Sequence, residues 1–138
     1  MNRTGEHAEA AFLHHVHRHI EDVELFLPTS HRTKVDVALC RPGSKLVRVQ
    51  IKKATNQKLK NGELGSGFKF MVGSSQGGSS ISKVKRYTKG MFDVLALYIL
   101  EHNIWAFYSL EDIEGTVSKR WSKNIGPINN WDLLKSYL

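Results

Sequence analysis

The sequence predicts an α/β domain in which helices pack on a mixed β-sheet. Residues 5–20 have apolar side chains at helical spacing, and several short segments alternate apolar and polar residues as strands do. A second segment with helical spacing, residues 80–89, separates the first strands from the last pair, which indicates a crossing helix. The 138 residues suit one compact core, so we expect a single domain over residues 1–138.

The first half of the chain is predicted to form a helix followed by a meander of three strands. The apolar stripe of the helix runs from Ala8 to Ile20, and Thr4 is placed as its N-cap. Strands are predicted at residues 23–27, 35–40 and 46–54. Pro28 ends the first strand, and the turn-forming residues 41–44 join the second strand to the third.

The second half is predicted to add a hairpin, a crossing helix and two more strands. Residues 55–67 are polar and contain several glycines, so they form a loop or an exposed hairpin. Ile81, Val84 and Tyr87 are spaced three apart, which predicts the helix over residues 80–89. The remaining elements are a short strand at 68–72, a flexible loop at 73–80, buried strands at 92–100 and 104–108, a helix start at 109–112 and a closing helix at 131–138.

The composition favours a polyanionic partner. Twenty Lys and Arg residues outnumber thirteen Asp and Glu residues, which gives a net charge of +7. A small basic protein typically binds nucleic acid or an anionic membrane surface, and we favour nucleic acid. No apolar run approaches the roughly 18 residues of a membrane span, so no membrane partner is expected.

Two further expectations concern the location of the protein and its cofactors. Cys40 is the single cysteine and no secretory signal is evident, which together favour a reducing, cytoplasmic location. The glycine-rich residues 73–80 lack the P-loop pattern of nucleotide-binding proteins, so no nucleotide cofactor is expected.

Three polar side chains interrupt two neighbouring predicted strands. Asp36 lies within the segment VDVAL, and Gln50 and Lys52 alternate with Val49 and Ile51. Because successive side chains of a strand point to opposite faces, Gln50 and Lys52 share one face. The short turn places the two strands side by side, so that an acid faces an amide and a lysine. This pattern indicates a small metal-and-water site, and a surface ion pair between Asp36 and Lys52 is the alternative.

Glu9 is a further candidate on the opening helix. It precedes Phe12 by three residues and Val16 by seven, which places it on the packed side of the helix. An acid on that side needs a partner, and a divalent cation held by Glu9 and Asp36 would satisfy it. Carboxylate and carbonyl oxygens together with water are ligands that suit Mg²⁺.

Together these residues resemble the PD-(D/E)XK nuclease superfamily over roughly residues 4–108. Residues 5–9 (GEHAE) are similar to the G-x-x-A-E pattern of the family's first helix, Asp36 to its central acid and residues 50–52 (QIK) to its (D/E)-x-K motif. Residues 81–87 and the strand after them resemble the family's second helix and following strand. The glutamine at position 50 makes the chain most similar to small intron-encoded (homing) endonucleases of cyanobacterial type.

The resemblance implies a restriction-endonuclease-like core, with a mixed central sheet flanked by helices, and a metal-dependent endonuclease that hydrolyses phosphodiester bonds in double-stranded DNA. The implied catalytic residues are Glu9, Asp36, Gln50 and Lys52. The implied ligands of one or two Mg²⁺ ions, with Mn²⁺ as a substitute, are Glu9, Asp36, Gln50 and the carbonyl of Ile51. Lys52 is implied to orient the attacking water or to neutralise developing charge. Gln50 replaces an acid of the family motif and so removes one negative ligand.

DNA contacts are expected from basic and hydroxyl side chains that flank the proposed site. These residues are Lys53, Lys58, Lys60, Lys69, Ser79, Ser80, Lys83, Lys85 and Arg86. Cutting both strands of a duplex needs two active sites, so a homo-oligomer, either a dimer or a tetramer, is expected. Two alternatives stay open, namely a Holliday-junction resolvase and a non-catalytic DNA-binding module on a nuclease fold.

Histidines and tryptophans have simpler assignments. Five of the seven histidines lie on the opening helix, among them His15 and His19. No cysteine or second helical pair completes a zinc site with them, so they predict a weakly basic surface. Trp105, Trp121 and Trp131 are expected in the core or at a subunit interface.

Overall fold

The computed structural model describes residues 3–29, 34–58, 64–71, 74–75, 84–85, 87–99, 103–114, 118–122 and 128–138. The helices are α1 (Arg3–His19), α2 (Leu110–Ile113) and α3 (Trp131–Lys135). The strands are β1 (Glu24–Phe26), β2 (Val37–Cys40), β3 (Val47–Lys58), β4 (Leu64–Met71), β5 (Ser74–Ser75), β6 (Val84–Lys85), β7 (Val94–Ile99), β8 (Ile104–Ser109) and β9 (Ser118–Ser122). No helix within the described ranges is long and apolar enough to cross a membrane.

A mixed sheet of five strands forms the centre of the fold, in the order β1-β2-β3-β7-β8. β1, β2 and β3 form the predicted antiparallel meander, with Val37 opposite Val49. β3 and β7 run parallel, with Val49 opposite Val94, and β7 and β8 form an antiparallel pair. A parallel pair requires a crossover connection, and this one makes the sheet mixed, as the sequence predicts.

β3 takes part in two sheets. Its first half pairs with β2 and β7, whereas its second half pairs with β4, with Thr55 opposite Lys69. β4 pairs in turn with β9, a strand that the sequence patterns do not predict. The polar segment after residue 54 is therefore part of a hairpin, the second of the two forms expected. The register shifts between Asn56 and Lys58, and an irregularity of this kind bends a strand.

The helices α1 and α3 cover one face of the five-strand sheet. Phe12 of α1 is fully buried, meets Trp105 edge-on and stacks on Trp131 of α3. Val49 and Ile51 of β3 belong to the same core cluster. The expected core positions of Trp105 and Trp131 are confirmed, and Trp121 lies on β9.

The opposite face of the sheet is covered by α2 and by the segment that leads into β7. Tyr87 and Phe92 pack there against Leu95, Leu97 and Ile113. β7 is buried at every position, as expected for a strand with a parallel neighbour and cores on both faces. The two cores fix β3 and β7 as the rigid centre of the molecule.

The predicted crossing helix over residues 80–89 is wrong where the structure describes it. Val84–Lys85 is the short strand β6, antiparallel to β5, and β5 lies within the segment predicted as a flexible loop. Three-residue spacing is compatible with a helix, but a β-branched valine paired with Ser75 favours a strand. Residues 80–83 and 86 lie outside the described residues.

Candidate active site

Asp36 lies immediately before β2, which begins at Val37 rather than at residue 35 as predicted. Its main-chain N–H donates a hydrogen bond to the carbonyl oxygen of Val49 (2.9 Å). Its Oδ2 atom accepts a hydrogen bond from the main-chain N–H of Ile51 (2.7 Å). The carboxylate of Asp36 therefore contacts the main chain of β3. The acid is thereby fixed to the strand of the predicted site.

The carboxyl group of Glu9 meets Asp36 from α1. Burial raises the pKa of Asp36 to about 6, and the charge of Glu9 and a hydrogen bond with its side chain also raise it, while the N–H of Ile51 lowers it. Two carboxyl groups share a hydrogen bond only when one of them has a proton. The pair therefore favours the uptake of a proton or a cation.

Glu9 is exposed, contrary to the prediction of an inward-facing, packed position. Ala8 and Phe12 beside it are buried, whereas Glu9 lies at the rim of the helix–sheet contact. Helical spacing predicts the direction of its side chain, since the carboxyl group does reach Asp36. An exposed position leaves this acid accessible to water and to a substrate.

Gln50 has a buried acceptor without a partner. Its Oε1 atom is shielded from solvent, and no hydrogen bond to it is found among the described residues. A buried oxygen of this kind costs about 1–3 kcal/mol if it stays unpaired. Gln50 directly precedes Ile51, whose N–H contacts Asp36. An unpaired acceptor at this position is expected where a ligand completes the site.

Lys52 lies on the face of β3 opposite α1. Its Nζ atom is 5.6 Å from the centre of the Tyr87 ring, which belongs to the core on that face. Val49 and Ile51 face α1, so the predicted alternation along β3 is confirmed. Burial, with a further contribution from the positive charge of Lys34, lowers the pKa of Lys52 to about 8.

Lys34 is a residue that the sequence patterns do not single out. Its charge lowers the pKa of Asp36 and also that of Lys52, so it lies close to both. Its side chain is half-buried. A signal exists in the sequence, because Lys34 precedes Asp36 by two residues and such residues share a face of an extended chain. Tyr87 is the second residue of the site that the sequence patterns do not single out, because they place it in a predicted helix and not beside Lys52.

The oxygen donors at this site fit a hard divalent cation. The carboxyl groups of Glu9 and Asp36 lie together, and the buried amide oxygen of Gln50 is unpaired. The N–H and C=O of a strand residue point to the same edge, so the carbonyl of Ile51 lies on the side of Asp36. Within the described ranges, no group of three or more His, Cys, Asp or Glu side chains could hold a metal. The donor set suits Mg²⁺ better than Zn²⁺.

The residues expected to contact DNA are spread over three elements. Lys53 is half-buried on β3, Lys58 and Lys69 belong to the β3–β4 hairpin, and Lys85 belongs to β6. The other expected contacts lie outside the described residues, and these are Lys60, Ser79, Ser80, Lys83 and Arg86. The hairpin continues directly from the strand of the candidate site.

Comparison with known proteins supports the architecture. No protein-family model matches the chain, and no curated protein matches it. Among solved structures, the chain is similar to the bacterial homing endonuclease I-Ssp6803I, with a TM-score of 0.77 and 14% sequence identity. The match covers 99% of this chain and 95% of that chain. Over nearly its whole length, the chain therefore has the α/β fold of that bacterial homing endonuclease, a mixed sheet with flanking helices.

Proposed function

We propose that the protein is a metal-dependent DNA endonuclease of the PD-(D/E)XK type, and specifically a homing endonuclease. One observation supports the proposal above all, namely the paired carboxyl groups of Glu9 and Asp36. Asp36 accepts a hydrogen bond from the main-chain N–H of Ile51, the residue after Gln50, and the buried oxygen of Gln50 has no partner among the described residues. Such donors favour a cation, and a cation beside basic residues favours a phosphodiester substrate. The shared fold is consistent with this activity.

The residues that would hold the cation are Glu9, Asp36, Gln50 and the carbonyl of Ile51. We propose that one or two Mg²⁺ ions bind there and that Mn²⁺ can replace them. When bound, the ion lowers the pKa of water and neutralises negative charge on the scissile phosphate. Binding would also offset the repulsion between the two acids and would give the oxygen of Gln50 a partner.

Lys52 is the residue that we propose to orient the attacking water or to contact the phosphate. A lysine with a pKa of about 8 is mostly protonated at neutral pH and still exchanges its proton readily. Its ammonium group lies over the ring of Tyr87, which restricts its position. Lys34 places a second positive charge near Asp36 and Lys52, which favours an anionic substrate here.

Double-stranded DNA is the substrate that the charge and the shape of the chain favour. The net charge of +7 favours a polyanion, and the β3–β4 hairpin, with Lys58 and Lys69, can follow a DNA groove. A hairpin that extends from the candidate site suits a duplex better than a four-way junction. We propose that a homo-oligomer, a dimer or a tetramer, supplies the two active sites needed to cut both strands, and that it acts in the cytoplasm.

A cleavage assay tests this proposal. The purified protein is incubated with supercoiled plasmid, with a duplex that contains an intron-insertion sequence and with a four-way junction, each in Mg²⁺ or in EDTA. We expect cleavage of duplex DNA in Mg²⁺ and none in EDTA. Intact DNA in every Mg²⁺ reaction would exclude the endonuclease, and a preference for the junction would identify a resolvase.

Matched variants assign the activity to the site. Asp36→Asn and Glu9→Gln are expected to lower the cleavage rate about a hundredfold. Asp22→Asn and Glu21→Gln remove one charge each from exposed acids in the turn after α1, and they should cleave like the parent. An equal loss of cleavage rate in the two pairs of variants would show that the activity does not depend on the candidate site.

A further inference from the structure

A cleft of about 380 Å³ lies between the C-terminal half of α1 and α3, and we call it the α1–α3 cleft. His15, Arg18 and His19 line it from α1, where residues three and four apart share a helix face. Lys135 lines it from the last turn of α3. His15, the cleft residue of α1 nearest to Glu9, follows it by six residues, about 9 Å along the helix, so the cleft begins beyond the candidate active site.

Three polar side chains around the cleft use an acceptor atom within the protein. Nδ1 of His15 accepts a hydrogen bond from Nε1–H of Trp105 (3.0 Å). Oδ1 of Asn129 accepts one from the main-chain N–H of Trp105 (3.1 Å), and Oδ1 of Asn103 accepts one from the hydroxyl of Tyr98 (2.5 Å). The remaining polar atom of each of these side chains is an N–H donor. The lining is therefore rich in donors.

Trp105 also fixes the tautomer of His15. An indole nitrogen can only donate, so Nδ1 of His15 has no proton while this hydrogen bond exists. A neutral His15 then has its proton on Nε2, and a second proton on the ring would break the bond to Trp105. His15 is thereby held as a neutral donor through Nε2.

Positive charges in the cleft outnumber the negative ones. Burial lowers the pKa of His19, and the charges of Lys135 and Arg18 lower it in the same direction. Asp132 also lines the cleft, but its side chain is 99% exposed and its carboxylate lies 3.8 Å from Nζ of Lys135. An exposed pair of this kind offsets little of the repulsion among the cations. An anion bound in the cleft would relieve it.

Trp131 contributes a buried donor that lacks an acceptor. The residue lines the cleft, is 4% exposed and stacks on His19 with 4.3 Å between the ring centroids. Its Nε1 atom is buried and has no hydrogen-bond partner among the described residues. Because Nε1 is shielded from solvent, Trp131 lines the cleft through its ring, and the donors that a ligand can reach are those of the polar side chains around it.

We propose that the α1–α3 cleft binds a phosphate group. A phosphate offers several acceptor oxygens with negative charge, which matches a lining of N–H donors and cations. Its source is either the DNA backbone, which depends on the proposed function, or free phosphate, which does not. The two sources make different predictions for the same variants.

Inorganic phosphate tests the cleft without DNA. NMR follows the indole N–H of Trp105 and the rings of His15 and His19 during a titration with sodium phosphate at constant ionic strength. We expect saturable shifts at these three residues, and we expect the double variant Arg18→Gln/Lys135→Gln to lose them. The matched control, Lys45→Gln/Lys89→Gln, changes two exposed lysines that do not line the cleft and should titrate like the parent.

Duplex binding in EDTA tests the DNA backbone as the source of the phosphate. No cleavage occurs under this condition, so a failure of the proposed nuclease activity does not affect the result. If a backbone phosphate occupies the cleft, the cleft variant should bind the duplex about tenfold more weakly than the control variant. The slope of log K against log salt concentration should also fall by about one to two.

Each outcome decides between the sources or removes the site. Saturable phosphate shifts with a selective loss of duplex affinity identify the DNA backbone, and the same shifts with equal duplex affinity in both double variants identify free phosphate. A selective loss of duplex affinity without saturable phosphate shifts also identifies the DNA backbone, and absence of saturable shifts with both variants binding duplex alike overturns the proposal. Thermal unfolding of the two double variants verifies that both are folded.

Discussion

The main-chain N–H of Ile51 donates a 2.7 Å hydrogen bond to Oδ2 of Asp36, and this contact joins the acid to the central strand. The bond favours the ionised carboxylate. Burial and the neighbouring Glu9 favour the neutral acid more strongly, because the pKa of Asp36 is raised to about 6. A group that is well positioned but penalised when charged is typical of a functional site.

Replacement of Asp36 with Asn should stabilise the metal-free protein at pH 7. The amide oxygen can still accept from Ile51, while the carboxylate that burial and Glu9 disfavour is removed. We expect a gain of about 1 kcal/mol in the free energy of unfolding, after allowance for the partial exposure of the side chain. Urea unfolding in EDTA measures it.

Asp93→Asn is the matched control, and its effect should have the opposite sign. Oδ2 of Asp93 accepts a hydrogen bond from the main-chain N–H of Arg48 (2.8 Å), and Oδ1 forms an ion pair with the Arg48 guanidinium (3.2 Å). Loss of the Asp93 carboxylate should lower the free energy of unfolding by about 1 kcal/mol. Equal destabilisation by Asp36→Asn and Asp93→Asn would contradict the inference that the ionised carboxylate of Asp36 destabilises the folded protein.

The stability gained from Asp36→Asn should depend on pH. Since the pKa of Asp36 rises from 3.8 to about 6 on folding, the folded state binds more protons than the unfolded state between these values. The destabilisation of the folded state by the ionised carboxylate of Asp36 is absent below pH 3.8, grows as the pH rises and is complete above about pH 6. The difference in unfolding free energy between variant and parent, measured in EDTA from pH 4 to 7, should therefore increase. A constant difference would show that the charge of Asp36 is not its source.

Lys52→Met should stabilise the protein at pH 7 and abolish cleavage. Methionine keeps an apolar stem against Tyr87 and removes an ammonium group whose pKa burial lowers to about 8. The unfolded state binds more protons between about pH 8 and 10.5, so the stability of the parent should rise with pH in this window and that of the variant should not. Denaturant unfolding from pH 7 to 10 measures both, with Lys45→Met as the exposed control.

Mg²⁺ should stabilise the parent, and Gln50 should control the size of the effect. A ligand at ten times its Kd adds about 1.4 kcal/mol to the free energy of unfolding. Gln50→Glu adds a third carboxylate, so it should lower stability in EDTA and increase the response to Mg²⁺. Gln50→Met removes the unpaired oxygen, so it should raise stability in EDTA and decrease that response. Thermal unfolding in Mg²⁺ and in EDTA compares the three proteins, and identical responses would rule out Gln50 as a ligand.

The sequence is most informative where the chain is regular. Alternation along β3 predicts that Gln50 and Lys52 face away from Val49 and Ile51, and the two cores confirm it for Lys52. Strand periodicity succeeds there because each strand is covered on at least one face. The meander and the final strand pair are predicted for the same reason.

The rest of the site depends on contacts that local patterns do not contain. Glu9 is exposed while Ala8 and Phe12 beside it are buried, and helical spacing alone does not specify where the buried stripe of α1 ends. Asp36 lies before β2, so the hydrogen bond from the N–H of Ile51 to its carboxylate is not contained in the alternation of that strand. The predicted helix over residues 80–89 fails because pairing with β5 outweighs a three-residue spacing in a short segment.

The shared strand β3 has a mechanical consequence for the proposed enzyme. The path from Ile51, in the central sheet, to Lys58, in the hairpin, is at most about 24 Å along β3, because the strand is irregular between Asn56 and Lys58; this is comparable to the length of seven base pairs of B-DNA. The length of β3 would then set the distance between the cleaved phosphodiester bond and the DNA that the hairpin contacts. One residue inserted after Ala54 would increase this distance and would turn every later side chain of the strand to the opposite face.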